Sequence, residues 1–241
     1  MRLFALIGFP LTHSFSKKYF TEKFEKEGIG GCRYELLELP NYQDFPQLIA
    51  AHPDLVGLNV TIPHKEAAFG VCDVVDATAM RAGAVNTLVF RDGRIEGSNT
   101  DGFGFLENVR DQAPGWQPTA GPAVLLGAGG AARAIAAALL DAGCPRVTLV
   151  NRSRDRAMAL ARDLGGPVEV ADAAPLADAS LLVNTTSLGM QGHPPLTIDL
   201  APLAATAVVA DIVYVPLETP LLAAARARGL RAVEGLGMLL H

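Results

Sequence analysis

Short apolar runs alternate with amphipathic stretches along the first hundred residues. The runs at 3–8, 34–39 and 55–62 predict strands, since each is mostly apolar and is followed by proline or a turn. Amphipathic stretches at 45–51 and 65–75 predict helices, and another helix is expected to follow the motif at 13–16, with Ser14 or Ser16 as its N-cap. This order of strand, helix, strand, helix and strand predicts an α/β domain with a mostly parallel sheet.

A two-residue turn follows these elements. Asp92-Gly93 lies between two short strand-like runs, which predicts a β-hairpin. A hairpin here would carry Asn86 on its first arm and would bring it near Asp101, just past the second arm. The prolines at 114 and 118 then indicate a boundary between domains.

The pattern changes beyond residue 121, where alanine, leucine and valine dominate. An apolar strand, a glycine-rich turn, an alanine-rich helix and a second strand follow one another within about thirty residues, which is the length of a βαβ unit. A last helix is predicted from an N-cap and a proline at Thr219-Pro220. The predicted strands of this half are 123–126, 147–150, 181–183 and 208–213.

The glycine-rich turn fits a dinucleotide-binding fingerprint with alanine in the third position. Gly127 permits the tight turn, Gly129 lets the backbone approach a pyrophosphate, and Ala132 allows the helix to pack close to the strand. The N-terminus of the following helix favours an anion. The framing strands make this prediction much stronger than a glycine triplet alone would.

The end of the next strand indicates which dinucleotide binds. An NAD site usually carries an acidic residue there for the ribose hydroxyls, whereas this chain has Asn151 followed by Arg152. Arg154 and Arg156 follow on the predicted helix. Guanidinium groups suit a 2′-phosphate, so the sequence favours an NADP site. The alternative is that these arginines belong to an exposed helix start that binds no ligand.

A second polar cluster lies at the end of the third strand. Asn59 and Thr61 are two residues apart, so their side chains leave the same face of the strand, and Lys65 follows at the start of a helix. An amide, a hydroxyl and an ammonium group together predict a pocket for a hydroxylated substrate. The alternative is an ordinary capped turn with an exposed lysine.

Composition excludes several classes of protein. The net charge of the 241 residues is −5 and no basic stretch indicates nucleic acid. The apolar N-terminus is too short for a signal peptide or a membrane span. Three cysteines without metal or disulfide spacing predict no metal site and a reducing cytoplasm. All five lysines precede residue 66, which fits two domains of different composition.

Nine stretches together resemble the shikimate dehydrogenase family, and they follow the family's order along the whole chain. They are HSFS at 13–16, NVTIPHK at 59–65, GAVNT at 83–87, NTDG at 99–102, GAGGAAR at 127–133, NRS at 151–153, NTTS at 184–187, DIVYVP at 211–216 and GLGM at 235–238.

The resemblance implies NADP-dependent, reversible reduction of 3-dehydroshikimate to shikimate, a step towards chorismate and the aromatic amino acids. It implies an α/β fold with two domains. Residues 1–101, joined by 235–241, would form a substrate domain of mixed α/β type. Residues 102–234 would form a Rossmann-type, doubly wound NADP domain. The resemblance favours a monomer, and a dimer is the alternative.

The resemblance also implies roles for individual residues. Lys65 and Asp101 would be the catalytic pair. The substrate would contact Ser14, Ser16, Asn59, Thr61, Lys65, Asn86, Asp101 and Tyr214. The cofactor would contact Gly127, Ala128, Gly129, Gly130, Ala131, Asn151, Arg152, Ser153, Arg156 and Thr185, with Ile212 and Gly237 near the nicotinamide.

Three features depart from the family's pattern. Lys17-Lys18 replace a proline that usually follows the second serine, and the segment between 170 and 181 is short. The family pattern continues past its GLGM motif with a glutamine and a C-terminal helix, whereas this sequence ends at His241. Part of the substrate pocket is therefore expected to be missing, with weakened activity and an exposed apolar surface.

Three other interpretations remain. A quinate/shikimate dehydrogenase would use NAD, against which Arg152 argues. A non-catalytic or truncated relative would bind NADP only, against which Lys65 and Asp101 argue. A different two-domain dehydrogenase would act on another hydroxylated or folate-like substrate, against which the serines and the Asn59 cluster argue.

Overall fold

The computed structural model describes residues 1–12 and 14–241, which form two compact units, Met1–Thr100 and Asp101–His241. Each unit is built on its own six-stranded sheet. His13, from the first serine motif, lies outside the described residues. No helix in the described part of the chain has the length and apolarity needed to span a membrane.

The first unit contains a mixed sheet with the strand order β2-β1-β3-β5-β6-β4. Strand β1 pairs in parallel with both β2 and β3, as the predicted βαβαβ order requires, whereas β3, β5 and β6 pair antiparallel. Its elements are β1 (Arg2–Gly8), α1 (Ser16–Lys26), β2 (Cys32–Glu38), a 3₁₀ turn (Tyr42–Asp44), α2 (Phe45–Ala51), β3 (Leu55–Val60), α3 (Lys65–Phe69), β4 (Val74–Val75), α4 (Ala77–Ala82), β5 (Thr87–Arg91) and β6 (Arg94–Ser98).

Alternation along the strands separates two apolar cores. Leu3, Ala5 and Ile7 of β1 face a cluster that includes Phe45 and Leu88. The intervening positions face a smaller cluster under α1, whose members are Phe4, Leu6, Leu11, Phe20, Phe24, Tyr34 and Leu36. Because the sheet is covered on both faces, polar side chains reach a ligand only where strands end.

The hairpin prediction is confirmed, since β5 and β6 pair antiparallel around Asp92-Gly93. The predicted helix at 65–75 is wrong beyond Phe69. Val74 and Val75 instead form β4, which pairs in parallel with β6. Asp76 then starts α4, because its carboxylate accepts a hydrogen bond of 2.7 Å from the Ala79 amide.

The predicted serine N-cap of α1 is also wrong. Phe15 occupies the N-cap position and its side chain makes no capping hydrogen bond. Ser14 Oγ instead accepts a hydrogen bond of 3.2 Å from the Ser16 amide in the turn before the helix.

The second unit contains an all-parallel sheet with the strand order β12-β11-β10-β7-β8-β9, which is the doubly wound, Rossmann-type arrangement. Its elements are α5 (Asp101–Gln112), a 3₁₀ turn (Pro118–Ala120), β7 (Ala123–Leu126), α6 (Gly130–Asp141), β8 (Val147–Val150), α7 (Arg154–Leu164), β9 (Val168–Val170), β10 (Leu181–Asn184), β11 (Val208–Asp211), α8 (Pro220–Ala227), β12 (Arg231–Val233) and α9 (Leu236–Leu240).

The strand order places a topological switch point beside β7. The chain moves from β7 to β8 and β9 on one side, then returns to β10 and continues to β11 and β12 on the other. In such sheets ligands bind outside the carboxyl ends of the strands at this point. The glycine-rich turn after β7 lies there. The predicted N-cap of α8 is confirmed, since Thr219 Oγ1 accepts from the Leu222 amide.

The last residues pack on the first helix of the same unit. Asn108 Nδ2 on α5 donates a hydrogen bond of 2.7 Å to the Glu234 carbonyl, and a Cβ built on Gly104 would lie 2.6 Å from the Met238 carbonyl. Close packing of α5 on α9 therefore requires glycine at position 104, because any larger residue would bring a Cβ against the Met238 carbonyl. Membership of residues 235–241 in a substrate domain stays a prediction.

Candidate active site

In the first unit, a row of hydrogen bonds fixes the polar side chains at the end of β3. The Tyr34 hydroxyl donates to Asn59 Oδ1 at 2.7 Å, and Asn59 Nδ2 donates to Thr87 Oγ1 at 3.4 Å. The Thr87 hydroxyl donates to Asn86 Oδ1 at 3.0 Å. Thr100 closes the row, since it accepts from Asn86 Nδ2 at 2.9 Å and its amide donates to Asn86 Oδ1 at 3.1 Å.

We call these five residues, Tyr34, Asn59, Thr87, Asn86 and Thr100, the polar chain. Two members, Asn59 and Asn86, were predicted to bind substrate. Asn86 directly precedes β5, and its bonds to Thr100 tie it to the segment that follows β6. The predicted proximity of Asn86 to Asp101 stays a prediction. Each amide has its oxygen and nitrogen assigned by its partners, so the direction of donors and acceptors is set before a ligand binds.

Thr61 follows the strand on the same side as Asn59, and its amide donates to the Ile7 carbonyl at 2.9 Å. A Cβ built on the neighbouring Gly8 would overlap the Thr61 methyl carbon and would lie 2.8 Å from the Ile62 carbonyl. Glycine at position 8 therefore makes room for the Thr61 side chain.

Backbone hydrogen bonds tie the predicted lysine to this region. Lys65 begins α3, and its carbonyl accepts from the Val85 amide at 2.8 Å. The Val60 amide donates to the Asn86 carbonyl at 2.7 Å. Consequently the segments that carry Asn59, Lys65 and Asn86 are held together within one unit.

The two predicted serines differ in burial. Ser14 is half-buried, whereas Ser16 is 4% exposed at the start of α1. Burial raises the pKa of Tyr34 well above its ordinary value, so its hydroxyl keeps its proton and can donate it to Asn59. The Ser16 side chain lowers the pKa of the Tyr34 phenol, but by less than burial raises it.

In the second unit, the glycine-rich turn has the backbone that the fingerprint requires. Gly127 has φ +117°, and a Cβ there would overlap Thr185 Oγ1. Thr185 in turn donates to the Leu126 carbonyl at 2.7 Å. Gly129 is the N-cap of α6 and a Cβ on it would meet nothing within 4 Å, so open space lies before the helix. Ala132 is fully buried.

The segment after β8 is held by local bonds. Asn151 Nδ2 donates to the Ser153 carbonyl at 2.8 Å, and Ser153 Oγ caps α7 by accepting from the Arg156 amide at 3.4 Å. Arg154 forms an ion pair with Asp172. Arg152 is exposed, and within residues 1–12 and 14–241 no carboxylate pairs with it. Its guanidinium is thus available to an anion.

A buried carboxylate organises the loop after β11. Asp211 is 2% exposed and accepts hydrogen bonds from Asn184 Nδ2 at 2.9 Å, Thr219 Oγ1 at 2.8 Å and the Val213 amide at 3.0 Å. These bonds join the ends of two neighbouring strands to the start of α8. They fix the backbone around Ile212, a predicted nicotinamide contact.

The remaining predicted residues also belong to this unit. Asp101 begins α5 and is 8% exposed, and burial raises the pKa of Tyr214. A Cβ on Gly235 would lie 2.5 Å from the Ile212 carbonyl oxygen, and one on Gly237 would overlap Asn108 Oδ1. Glycine at both positions thus permits close packing of the last segment. The pairing of Lys65 with Asp101 and the remaining ligand contacts stay predictions.

In each unit, several residues of the polar networks were not among the predicted ligands. Tyr34, Thr87 and Thr100 complete the polar chain, and Asn184, Asp211 and Thr219 form the network after β11. Asn184 and Asp211 each end a buried parallel strand. That position could have singled them out, because ligand-site residues gather at this edge. Tyr34 carries no comparable signal, since an aromatic residue within a strand usually indicates core.

Comparison with protein families gives two matches. Residues 6–88 match the shikimate dehydrogenase substrate binding domain, and residues 117–187 match the shikimate/quinate 5-dehydrogenase family. A curated shikimate dehydrogenase (NADP(+)) from Acidiphilium cryptum is 61% identical over 245 residues, which span 100% of this chain and 87% of the relative.

Solved structures give the same result. Shikimate 5-dehydrogenase from Thermus thermophilus, in complex with NADP(H) and shikimate, is 38% identical with a TM-score of 0.86, covering 99% of this chain and 89% of that one. Quinate dehydrogenase from Corynebacterium glutamicum, in complex with NAD, is 32% identical with a TM-score of 0.88, covering 100% and 90%.

The Asp211 network predicts a pH-dependent stability. Burial raises the pKa of this carboxyl from 3.8 to about 6, despite the three hydrogen bonds that favour its ionised form. The folded state therefore binds more protons than the unfolded state between these values, so the free energy of unfolding falls as pH rises through this window. Relative to Asp211→Asn, the free energy of unfolding of the wild-type protein should fall by on the order of 3 kcal/mol between pH 4 and pH 7.

Chemical unfolding of both proteins at the two pH values measures this difference. Asp199→Asn removes an exposed carboxylate of the same unit and serves as the control. A wild-type minus Asp211→Asn difference that stays constant, or that grows with pH, would contradict the prediction.

Proposed function

The chain belongs to the shikimate dehydrogenase family and is an NADP-dependent oxidoreductase of the shikimate pathway, and from this premise we propose how its residues reduce 3-dehydroshikimate to shikimate. The observation that carries the assignment is the match to a curated NADP-dependent relative over the whole chain. Residue roles are argued below from the chemistry of each side chain and its surroundings.

The turn after β7 suits the phosphates of NADP. Gly127 adopts a φ that other residues rarely adopt, and the open space before Gly129 lets backbone amides at the start of α6 face an anion. Arg152 would hold the 2′-phosphate, with Asn151, Ser153 and Arg156 beside it. When bound, the reduced cofactor supplies the hydride that the ketone carbon accepts.

Lys65 would supply the proton. As the ketone becomes an alcohol its oxygen gains negative charge, and an ammonium group beside it can donate a proton; in the reverse direction the amine accepts that proton. Asp101 would keep the lysine charged and in place, since a nearby carboxylate favours the ammonium form.

Asn59, Thr61 and Asn86, with Ser14, Ser16 and Tyr214, would bind the hydroxyl and carboxylate groups of the substrate. The polar chain supports this proposal, because its amides are already oriented by hydrogen bonds within the protein. A compound lacking a hydroxyl would leave such groups unpaired, so the pocket should select strongly for a polyhydroxylated ring.

We also propose that the protein is a cytoplasmic monomer, with 1–101 and 235–241 serving the substrate and 102–234 serving NADP. Free cysteines at 32, 72 and 144 fit a reducing compartment. Light scattering coupled to size exclusion measures the oligomeric state directly, and a dimer mass would contradict the proposal.

Lys65→Ala tests the proposed proton transfer. Loss of a general acid should lower kcat for shikimate oxidation by about 10²–10⁴-fold, while the affinity for NADP is retained. Absorbance of the reduced nicotinamide measures the rate. The control is Lys23→Ala, which removes an exposed lysine paired with Glu27 on α1 and should leave the rate unchanged. Equal rates for Lys65→Ala and the wild type would exclude this role.

The principal alternative is an NAD-dependent quinate/shikimate dehydrogenase. The similarity to the quinate dehydrogenase structure from Corynebacterium glutamicum, in complex with NAD, supports this alternative. Arg152→Ala distinguishes the two. Loss of a charge-assisted contact to the 2′-phosphate should raise KM for NADP roughly tenfold or more without changing KM for NAD.

Arg154→Ala is the matched control, because Arg154 already pairs with Asp172 and should affect KM for NADP little. A wild-type enzyme that prefers NAD and quinate, with equal effects of both arginine variants, would favour the alternative.

A further inference from the structure

Tyr34 is a buried aromatic residue whose hydroxyl reaches the proposed substrate pocket. It lies on β2 and is 3% exposed, and its ring stacks on Phe20 of α1 with centroids 4.5 Å apart and planes 12° apart. Its ring packs in the core under α1 together with Leu6 and Leu11. The hydroxyl nevertheless bonds to Asn59 on β3, across the intervening strand β1.

The strand register explains this reach. Phe4 of β1 pairs with Tyr34, and Leu6, two residues further on, pairs with Asn59. Tyr34 and Asn59 therefore lie on the same face of the sheet, diagonally across β1. The long side chain of tyrosine covers this distance, whereas its ring remains in the apolar core.

The hydrogen bond determines the orientation of the Asn59 amide. The phenol donates to Asn59 Oδ1 at 2.7 Å, which holds this oxygen opposite the Tyr34 hydroxyl. Nδ2 is then directed to the other side, where one of its two protons goes to Thr87 Oγ1. Among the described residues no acceptor takes the second proton, which leaves an N–H donor for a ligand.

We propose that Tyr34 is a positioning residue that fixes the Asn59 amide with its N–H donor towards a ring hydroxyl of shikimate. The inference rests on the proposed function, in which Asn59 binds the substrate, and Tyr34 itself does not touch it. Without the phenol hydroxyl the amide could rotate by 180° and present an acceptor instead, so each binding event would require it to reorient.

The effect of Tyr34 is confined to Asn59. Thr87 accepts from Asn59 and donates to Asn86 Oδ1, but the Thr100 backbone amide, which can only donate, already fixes the same Asn86 oxygen. The Tyr34 hydroxyl thus orients one proposed ligand group, the Asn59 amide.

A second tyrosine in this unit provides a matched control. Tyr42 stacks on Phe45 with centroids 5.1 Å apart and planes 12° apart, much as Tyr34 stacks on Phe20. Its hydroxyl is buried but has no hydrogen-bond partner in the described part of the chain. Tyr42→Phe therefore removes a buried hydroxyl from a stacked ring without disturbing the polar chain.

Steady-state kinetics of Tyr34→Phe and Tyr42→Phe test the proposal. Tyr34→Phe should raise KM for shikimate about tenfold, the effect of one lost hydrogen bond, with kcat and KM for NADP within about twofold of the wild type. Tyr42→Phe should leave all three unchanged. Thermal unfolding of each variant accompanies the kinetics.

A double-mutant cycle with Asn59→Ala identifies the residue through which Tyr34 acts. If Tyr34 orients Asn59, then Tyr34→Phe should have no further effect on KM in the Asn59→Ala background. Additive effects of the two substitutions on KM would overturn the proposal, as would an unchanged KM for shikimate in Tyr34→Phe. Failure of the Tyr34→Phe protein to fold, when the Tyr42→Phe protein folds, would also overturn it. Absence of shikimate oxidation in the wild type would instead overturn the proposed function, and the inference with it.

Discussion

A polar side chain that is removed from water needs hydrogen-bond partners within the protein. In the first unit Asn59, near the end of an apolar strand, has such a partner in the Tyr34 hydroxyl. Around it, β1 and β3 carry alternating residues that bury two cores, one on each face of the sheet. The apolar packing leaves only the strand ends for chemistry. The polar chain uses that edge, and its internal bonds set the direction of each amide in advance.

The second unit meets the same constraint with a charged group. Asp211 is buried at the carboxyl end of a parallel strand, where bonds from Asn184, Thr219 and a backbone amide compensate for part of the cost of burial. The bonds hold the loop around Ile212 at the carboxyl edge of the sheet, the edge that also carries the glycine-rich turn. Under the proposed function, the cofactor and the substrate would each bind at a sheet edge whose polar groups are already hydrogen bonded within the protein.

Much of this site follows from local sequence pattern. The period of two in a strand places Asn59 and Thr61 on one face, and the required φ explains Gly127. Local sequence pattern does not predict contacts between residues that are far apart in the chain. The segment at 71–75 continues an apolar helical spacing, but β4 forms because Val74 and Val75 pair with β6. Tyr34 was missed for the same reason, since its role depends on a strand residue that lies 25 positions further along the chain.

The central claim is that amides oriented within the protein bind the hydroxyls of the substrate. A crystal structure of the protein with shikimate and NADP tests it most directly. The account predicts that Asn59 Nδ2 lies about 3 Å from a ring hydroxyl of shikimate while Asn59 Oδ1 keeps its bond to Tyr34. A ring whose hydroxyls contact other residues, with Asn59 rotated away from Tyr34 or remote from the ligand, would contradict it.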